Sequence, residues 1–463
     1  MPGGHEQTYR GKTILVVGAA RSGIAATRFL LAHGAHVILT DSKSEESLAA
    51  LVDPLRRLAT PPAELVLELG GHRMESFRGC DTIVVSPGVP LSLPYFEESR
   101  RHGIPIQAEV ELAYRHLKGK ILGITGSNGK TTTTVLVAEL LRGSGLKGHA
   151  AGNIGVPLIG LAEQSGVEDI YSTELSSFQL EGIRDFRPAV GAILNLTPDH
   201  LDRYTGFEAY IASKERIFMN QQPEDFAVLN ADDPRTAGMA ARVRSKPVLF
   251  SRRTQPERGV FLRDDRLIFR DGESERELFE TGDIQLKGSH NLENVLAACA
   301  IALLAGANPN SLKQVIRDFH GVEHRLEWVA DIDGVQYFND SKATNVDSTI
   351  KSLEAFPGNV LLIAGGRDKG GDFAVLRPFV SKYVKELILL GEASGKIREA
   401  LAGTTEIREA ESLVEAVRIC RRHAQPGDVV LLAPACASFD MFHDYEHRGR
   451  VFKNAVRALI ATG

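Results

Sequence analysis

Three times along the chain, a run of apolar, mostly β-branched residues stops at a glycine-containing turn and is followed by apolar positions at helical spacing. A strand feeding a helix within a parallel sheet leaves this signature, so the pattern predicts an α/β protein throughout. The first run covers 13–17, followed by Gly18, a helix over 22–33 and a strand over 36–40 that ends in Asp41. A further strand, 82–85, ends at Ser86-Pro87-Gly88. The second major run, 121–125, leads into Gly126-Ser127-Asn128-Gly129-Lys130-Thr131 and a helix reaching about Arg142. The third, 359–364, leads into a turn over 365–371, and additional strands are predicted at 169–174 and 190–194. Between Arg252 and Glu280 the chain is charged and alternating, which reads as a surface β-hairpin excursion rather than a core element.

A chain of 463 residues predicts about three domains. The first break is placed at the short charged helix within 107–119. The second falls near Gly321, after an apolar helix over 291–305, giving 1–109, 110–321 and 322–463. With 43% hydrophobic and 24% charged residues, disorder is excluded as a description of the whole chain. A net charge of -5 offers no general field for phosphate backbones or anionic lipid, which argues against nucleic acid and membrane partners. Cys80, Cys299, Cys420 and Cys436 lie far apart and suggest neither a zinc site nor a disulfide framework. The apolar stretch 295–307 falls short of the roughly 18 to 20 residues that cross a bilayer. The first residues lack a basic leader, so a soluble, cytoplasmic protein is expected.

The turn Gly126, Ser127, Asn128, Gly129, Lys130, Thr131, Thr132 sits where a strand becomes a helix, so backbone N–H groups and the positive helix end can surround phosphate oxygens. Lys130 would neutralise the β and γ phosphates and Thr131 would offer a hydroxyl to magnesium. The usual phosphate-loop spacing is not met, because Ile124 stands five before Gly129; this is a shortened loop. The alternative is that its glycines merely make a tight turn. Gly18-Ala19-Ala20-Arg21-Ser22-Gly23 is either a packing turn or a phosphate-binding turn, and Ala20 weakens a dehydrogenase reading. Asp41 can accept from a ribose or base N–H group. Glu174 can complete a magnesium site or be an ordinary exposed glutamate. Asp199-His200-Leu201-Asp202-Arg203 can bind metal or position a nucleophile, with Asp199 alternatively capping a helix. Lys214, taken alone, reads as a solvated helix residue.

These segments occur in one order, together with Gly152-Asn153-Ile154-Gly155, the run 288–294, His324-Arg325, the run 339–345 and Pro434-Ala435-Cys436-Ala437-Ser438-Phe439-Asp440. Over nearly its whole length the chain resembles the Mur ligases, ATP-dependent amide-forming enzymes of peptidoglycan precursor synthesis. The segments 339–345 and 434–440, with the turn 18–23, look like the D-glutamate-adding branch.

The resemblance implies a Rossmann-like N-terminal domain, a central P-loop-type ATP-binding domain with a mostly parallel sheet, and a Rossmann-like C-terminal domain. It implies that Ser22, Asp41 and Gly88 hold the UDP end of the substrate, with Asn153 and His200 near the muramoyl-alanine arm. Lys130 would hold ATP phosphates, Thr131, Glu174, His200 and Lys214 would surround two magnesium ions, and Asn294, Arg325 and Asp340 would contact the nucleotide. Lys130, Glu174, His200 and Lys214 would be the catalytic set. In this family the lysine matching Lys214 is carbamylated, which converts a cation into an oxygen ligand for a hard metal ion. D-Glutamate would be held by Thr344, Lys369, Ser438 and the Phe439 backbone, with Tyr445 standing where better-known members carry phenylalanine. The implied substrates are ATP, UDP-N-acetylmuramoyl-L-alanine and D-glutamate, joined by a monomer through an acyl phosphate. The rival readings are a related ligase with a different amino acid or folate, a nicotinamide dehydrogenase, and a non-catalytic nucleotide sensor.

Overall fold

The computed structural model describes residues 9–199, 203–286, 288–368 and 370–461. These form three α/β domains, each built on its own sheet, and they group into two compact units. One unit holds the described residues up to Asp283 together with Glu293–Ile316; the other holds Ile284–Leu292 and the described residues from Arg317 onward.

The first sheet comprises β1 (Thr13–Val17), β2 (His36–Asp41), β3 (Glu64–Leu69), β4 (Thr82–Val85) and β5 (Ile106–Ala108). Its order is β3-β2-β1-β4-β5 and every pairing is parallel. The strand order reverses between β1 and β4, and a crevice opens beyond strand C-termini at such a switch point. Gly18 and Ser86 occupy that point, where Ser86 Oγ donates to the Gly18 carbonyl at 2.8 Å. A Cβ on Gly23 would lie 1.8 Å from the same carbonyl, so the packing role of this turn is built into the fold.

The second sheet comprises β6 (Lys120–Thr125), β7 (Lys147–Gly152), β8 (Asp169–Glu174), β9 (Val190–Ile193), β10 (Phe226–Asn230), β11 (Lys246–Ser251), β12 (Arg258–Arg263), β13 (Arg266–Asp271) and β14 (Ser274–Glu280). Its order is β14-β13-β12-β11-β10-β9-β6-β8-β7. β6 lies between β8 and β9, parallel to both, which brings the shortened loop, Glu174 and the segment after β9 to one edge. The expected excursion over 252–280 is corrected here, because β12 joins β11 in parallel and β13 and β14 continue the same sheet. Val260, Leu267 and Phe279 are buried on one face, while pairs such as Arg263–Glu275 and Arg266–Glu277 occupy the other, where Arg263 and Arg270 lie over Phe261. Alternation had set the charges on one side and hidden an apolar face on the other.

The first two sheets share a core in which the helix Arg21–Ala32 packs its Phe29 and Leu30 toward Leu158 and Ile159. The short helix Glu109–Tyr114 is also interior: Glu109 and Glu111 are buried, against the solvated character its charges suggest. Glu111 accepts from the amides of Arg184, Asp185 and Phe186 and pairs with Arg115 at 3.1 Å. It thereby anchors the segment that leaves the helix Ser177–Glu181, just downstream of Glu174.

The third sheet, β15 (Glu327–Ile332), β16 (Val335–Asn339), β17 (Val360–Gly365), β18 (Val384–Leu390), β19 (Glu406–Glu409) and β20 (Val429–Leu432), has the order β15-β16-β20-β17-β18-β19. All its pairings are parallel except that of β15 with β16. No helix among the described residues is long and apolar enough to cross a membrane. All four cysteines are free and buried.

Glu111→Ala removes the acceptor of three amides, of which that of Phe186 is buried, while Arg115 keeps its pairing with Asp185; it should cost on the order of 2 kcal/mol in denaturant unfolding. A loss below about 1 kcal/mol would show that water replaces the carboxylate there.

Candidate active site

The loop after β6 is shaped by two glycines with positive φ, Gly126 at 150° and Gly129 at 82°. A Cβ on Gly129 would lie 2.1 Å from Asn294 Oδ1, so the residue is needed for close approach as well as for the turn. The loop is braced by the segment following β9. Asn128 N donates to Asn195 Oδ1 at 2.8 Å, Thr197 N donates to Ser127 Oγ at 2.9 Å, and Ser127 Oγ reaches Tyr210 Oη at 3.0 Å. The helix Lys130–Gly143 then starts directly, so the amides of its first turn are not used by its own ladder.

Lys130 Nζ folds back onto the loop, donating to Gly126 O at 2.9 Å and Ser127 O at 2.7 Å. Glu174, at the end of β8, is buried, and its exposed-glutamate reading is overturned. Its Oε2 accepts from Thr131 Oγ1 at 2.7 Å and its Oε1 from Asn153 Nδ2 at 3.1 Å. Thr131, Asn153 and Glu174, taken from three separate elements, thus meet around one carboxylate.

Lys214 departs furthest from a reading of its sequence alone. It lies on the helix Phe207–Glu215, yet only 2% of it is exposed, so the solvated alternative fails. Its Nζ donates to Gly126 O at 2.9 Å and sits 4.7 Å from the centre of the Tyr210 ring. Burial first, and the like charge of Lys130 second, hold its pKa well below the usual lysine range, against the pull of Asp199 and Glu174. His200 and Asp202 lie outside the described residues.

Toward the first sheet, Ser86, Pro87, Val89 and Gln107 line a cavity with Phe178 and Arg203. The Arg203 guanidinium stacks 3.8 Å over Phe178. Ser22 is buried in the first turn of its helix. Asp41 braces the neighbouring turn, its two oxygens accepting from Ala19 N at 2.7 Å and Lys43 N at 2.8 Å. Gly88 lies in the turn after β4.

In the second unit, Asp340 follows β16, is half-buried, and accepts from Ser352 Oγ. Burial raises its pKa, opposed by that hydrogen bond and by the charge of Arg325. Thr344 belongs to the same loop. Ser438 is buried, Phe439 is 62% exposed, and both follow β20. Tyr445 accepts at its hydroxyl from Lys342 Nζ at 2.9 Å. Lys369 lies outside the described residues. Sequence reasoning missed Arg448, a buried cation that donates to the carbonyls of Ser341, Cys436 and Ala437 and so ties the loop after β16 to the loop after β20. Its burial lowers its pKa to about 10. A basic residue at the head of a C-terminal helix carries no signal of such a role.

Family models match three consecutive stretches: a Mur ligase MurD-like N-terminal domain over 12–108, a Mur ligase middle domain over 124–302, and a Mur ligase glutamate ligase domain over 324–436. The UDP-N-acetylmuramoylalanine--D-glutamate ligase of Koribacter versatilis is 48% identical over 450 residues, covering 97% of this chain and 98% of its own length. The chain belongs to the Mur ligase family. The protein of the same name from Acidobacterium capsulatum is 47% identical, with 97% of each chain covered. Among solved Mur ligases, UDP-N-acetylmuramate-alanine ligase MurC from Thermotoga maritima shares the fold at TM-score 0.58 and 18% identity, covering 96% of this chain and 99% of that one. MurF ligase from Thermotoga maritima, determined in complex with ADP, does so at TM-score 0.55 and 16% identity, covering 82% and 96%. This Mur ligase therefore carries its conserved fold with Lys130, Thr131, Glu174 and Lys214 gathered at one sheet edge.

Because unfolded Lys214 binds a proton that the folded side chain resists, stability rises with pH through this group and falls as pH drops. In metal-free, bicarbonate-free buffer, Lys214→Met should raise Tm, with the gain larger at pH 6 than at pH 9. An equal or negative shift at pH 6 would contradict the buried-cation penalty.

Proposed function

We propose that this chain joins D-glutamate to the alanine carboxylate of UDP-N-acetylmuramoyl-L-alanine, using ATP, in peptidoglycan precursor synthesis. The observation that carries the reading is the convergence of Lys130, Thr131, Glu174 and Lys214 on the Gly126 to Thr131 turn. The chain matches relatives of that activity's name almost end to end, with identities of 48% and 47%. Its functional division is 1–109 for the UDP end, 110–321 for ATP and 322–463 for the amino acid. It acts as a monomer in the cytoplasm.

A carboxylate is a poor electrophile, so the reaction begins by giving it a leaving group. The alanine carboxylate oxygen bonds to the γ phosphorus as the bond to ADP breaks, yielding an acyl phosphate. Lys130 and the amides of the turn, with Thr132 at the helix start, face the charge that gathers on the transferring group. The neutral amine of D-glutamate then attacks the acyl carbon, the bond from that carbon to the phosphate oxygen breaks with its electron pair on phosphate, and the proton lost from nitrogen passes to the departing phosphate or to water as the amide forms. Asn294, Arg325 and Asp340 hold the nucleotide in this reading. Ser22, Asp41 and Gly88 hold the UDP end, and Asn153 and His200 the muramoyl-alanine arm. Thr344, Lys369, Ser438, the Phe439 backbone and Tyr445 receive the amino acid, with Lys369 supplying charge and the others direction.

Magnesium prefers oxygen ligands, and the Thr131 hydroxyl and Glu174 carboxylate, which already meet at 2.7 Å, suit it. These two, with His200 and a carbamylated Lys214, are the residues that would hold two ions. Bound there, magnesium offsets charge on phosphate oxygens. The unmodified Lys214 ammonium does not suit that company, whereas its carbamate does. Burial lowers the Lys214 pKa and so favours the neutral amine, whose lone pair can attack carbon dioxide: an N–C bond forms and a proton leaves the nitrogen, giving the carbamate.

Phosphate release should require ATP, UDP-N-acetylmuramoyl-L-alanine and D-glutamate together. Release with any one absent, or with another amino acid preferred, would overturn the assignment. Lys130→Ala should lower kcat on the order of 10²- to 10³-fold while the far-UV circular dichroism stays native. Intact-protein mass spectrometry under bicarbonate should show one carbon dioxide added to the native chain and none in Lys214→Ala; full activity in that variant would count against carbamylation.

A further inference from the structure

His72 follows β3 on the rim where the first sheet's strands end, and nothing in the reading above uses it. Its loop is pinned to the end of β2, because Gly70 N and Gly71 N both donate to the Asp41 carbonyl at 3.1 Å. The Thr40 hydroxyl, on a fully buried residue, touches two groups of this loop: it donates to Gly71 O at 3.2 Å and lies 2.8 Å from His72 Nδ1. A hydroxyl has one proton. When that proton goes to the Gly71 carbonyl, which can only accept, Thr40 Oγ1 accepts from His72, and in that arrangement Nδ1 carries the hydrogen. The neutral ring then presents a lone pair at Nε2. Burial lowers the His72 pKa and favours this neutral form, against the opposing charges of Asp41 and Glu68.

The ring is also fixed laterally, standing edge-on to Phe77 at 6.0 Å and Tyr95 at 5.4 Å between centres. His72 is half-buried, and Nε2 has no hydrogen-bond partner among the described residues. Both Asp41 oxygens, by contrast, already accept one backbone amide each. An oriented acceptor without a donor thus stands beside Asp41 at the rim assigned to the UDP end of the substrate.

We propose that His72 is a specificity-determining residue for the uridine, its Nε2 accepting a hydrogen bond from an N–H or hydroxyl of the nucleoside. This rests on the reading of that rim as the UDP site. Thr40 is a positioning residue that holds the tautomer and the ring.

The test titrates the full-length protein with UDP and with uridine by calorimetry and measures KM for each substrate. His72→Asn keeps an N–H within reach of Thr40 and removes the Nε2 acceptor. It should weaken UDP and uridine alike by about tenfold, the scale of one lost hydrogen bond. KM for UDP-N-acetylmuramoyl-L-alanine should rise by a similar factor, while kcat, the KM for ATP and the KM for D-glutamate stay within about twofold. His72→Gln, which returns an acceptor near Nε2, should recover most of the affinity lost in His72→Ala. Unchanged UDP affinity in His72→Asn, or a loss for UDP without one for uridine, overturns the proposal while normal turnover leaves the ligase reading intact. A general rise in every KM with a fallen Tm would mark a merely structural residue and likewise overturns it. If the wild-type chain neither binds UDP nor turns over, the ligase reading falls first and this inference with it.

Discussion

Two lysine side-chain nitrogens share one carbonyl. Gly126 O accepts from Lys130 Nζ and from Lys214 Nζ, each at 2.9 Å. Like charges brought this close repel, more strongly out of water than in it, and one of the two side chains is almost entirely buried. The arrangement persists only if one amine gives up its proton or if anions gather nearby, and the surroundings supply both conditions. Lys214 has a depressed pKa, and Glu174 and Asp199 lie within electrostatic reach of it. The position of β6 inside the sheet, the positive φ of Gly126 and the bracing of Ser127 and Asn128 all fix that carbonyl where both lysines can find it. Lys130, held on a rigid turn beside the amides of a helix start, is suited to polyphosphate before any polyphosphate arrives.

Much of this was legible in the sequence, and the legible part has a common character. The turn, Lys130 and Glu174 could be placed because each ends an apolar run whose strand assignment fixes which edge it faces. Lys214 could not be placed from residues alone. Its helix has neighbours such as Glu208 and Glu215 that read as solvated, and its burial depends on Tyr210 and on a carbonyl 88 residues away. Glu111 was opaque for a related reason, because its partners are backbone amides more than 70 residues downstream, and amides leave no mark in a sequence. The misread region over 252–280 shows the reverse error, since conspicuous charges on one face concealed Val260, Leu267 and Phe279 on the other. His200 and Lys369 belong to the family resemblance and lie outside the described residues.

The first and third sheets place their chemistry by the same rule as the second. In the first, Gly18, Asp41, Ser86 and His72 all follow strand ends near the point where the order reverses. In the third, the loops after β16 and β20 are drawn together by Arg448, whose donors are spent on carbonyls rather than on a carboxylate. A cation satisfied by main-chain oxygens stiffens two loops without adding a fixed negative charge beside them.

The antiparallel addition to the central sheet has a consequence beyond its own packing. A sheet of nine strands would otherwise finish on an open row of amides and carbonyls. Here the terminal strand, β14, carries Glu275, Arg276 and Glu277 in succession, all exposed, and two of them are tied back to arginines of the preceding strands. Another chain seeking to zip onto that border would have to strip water from a dense row of ions, so the meander works as a fender that keeps neighbouring molecules from fusing along their flanks.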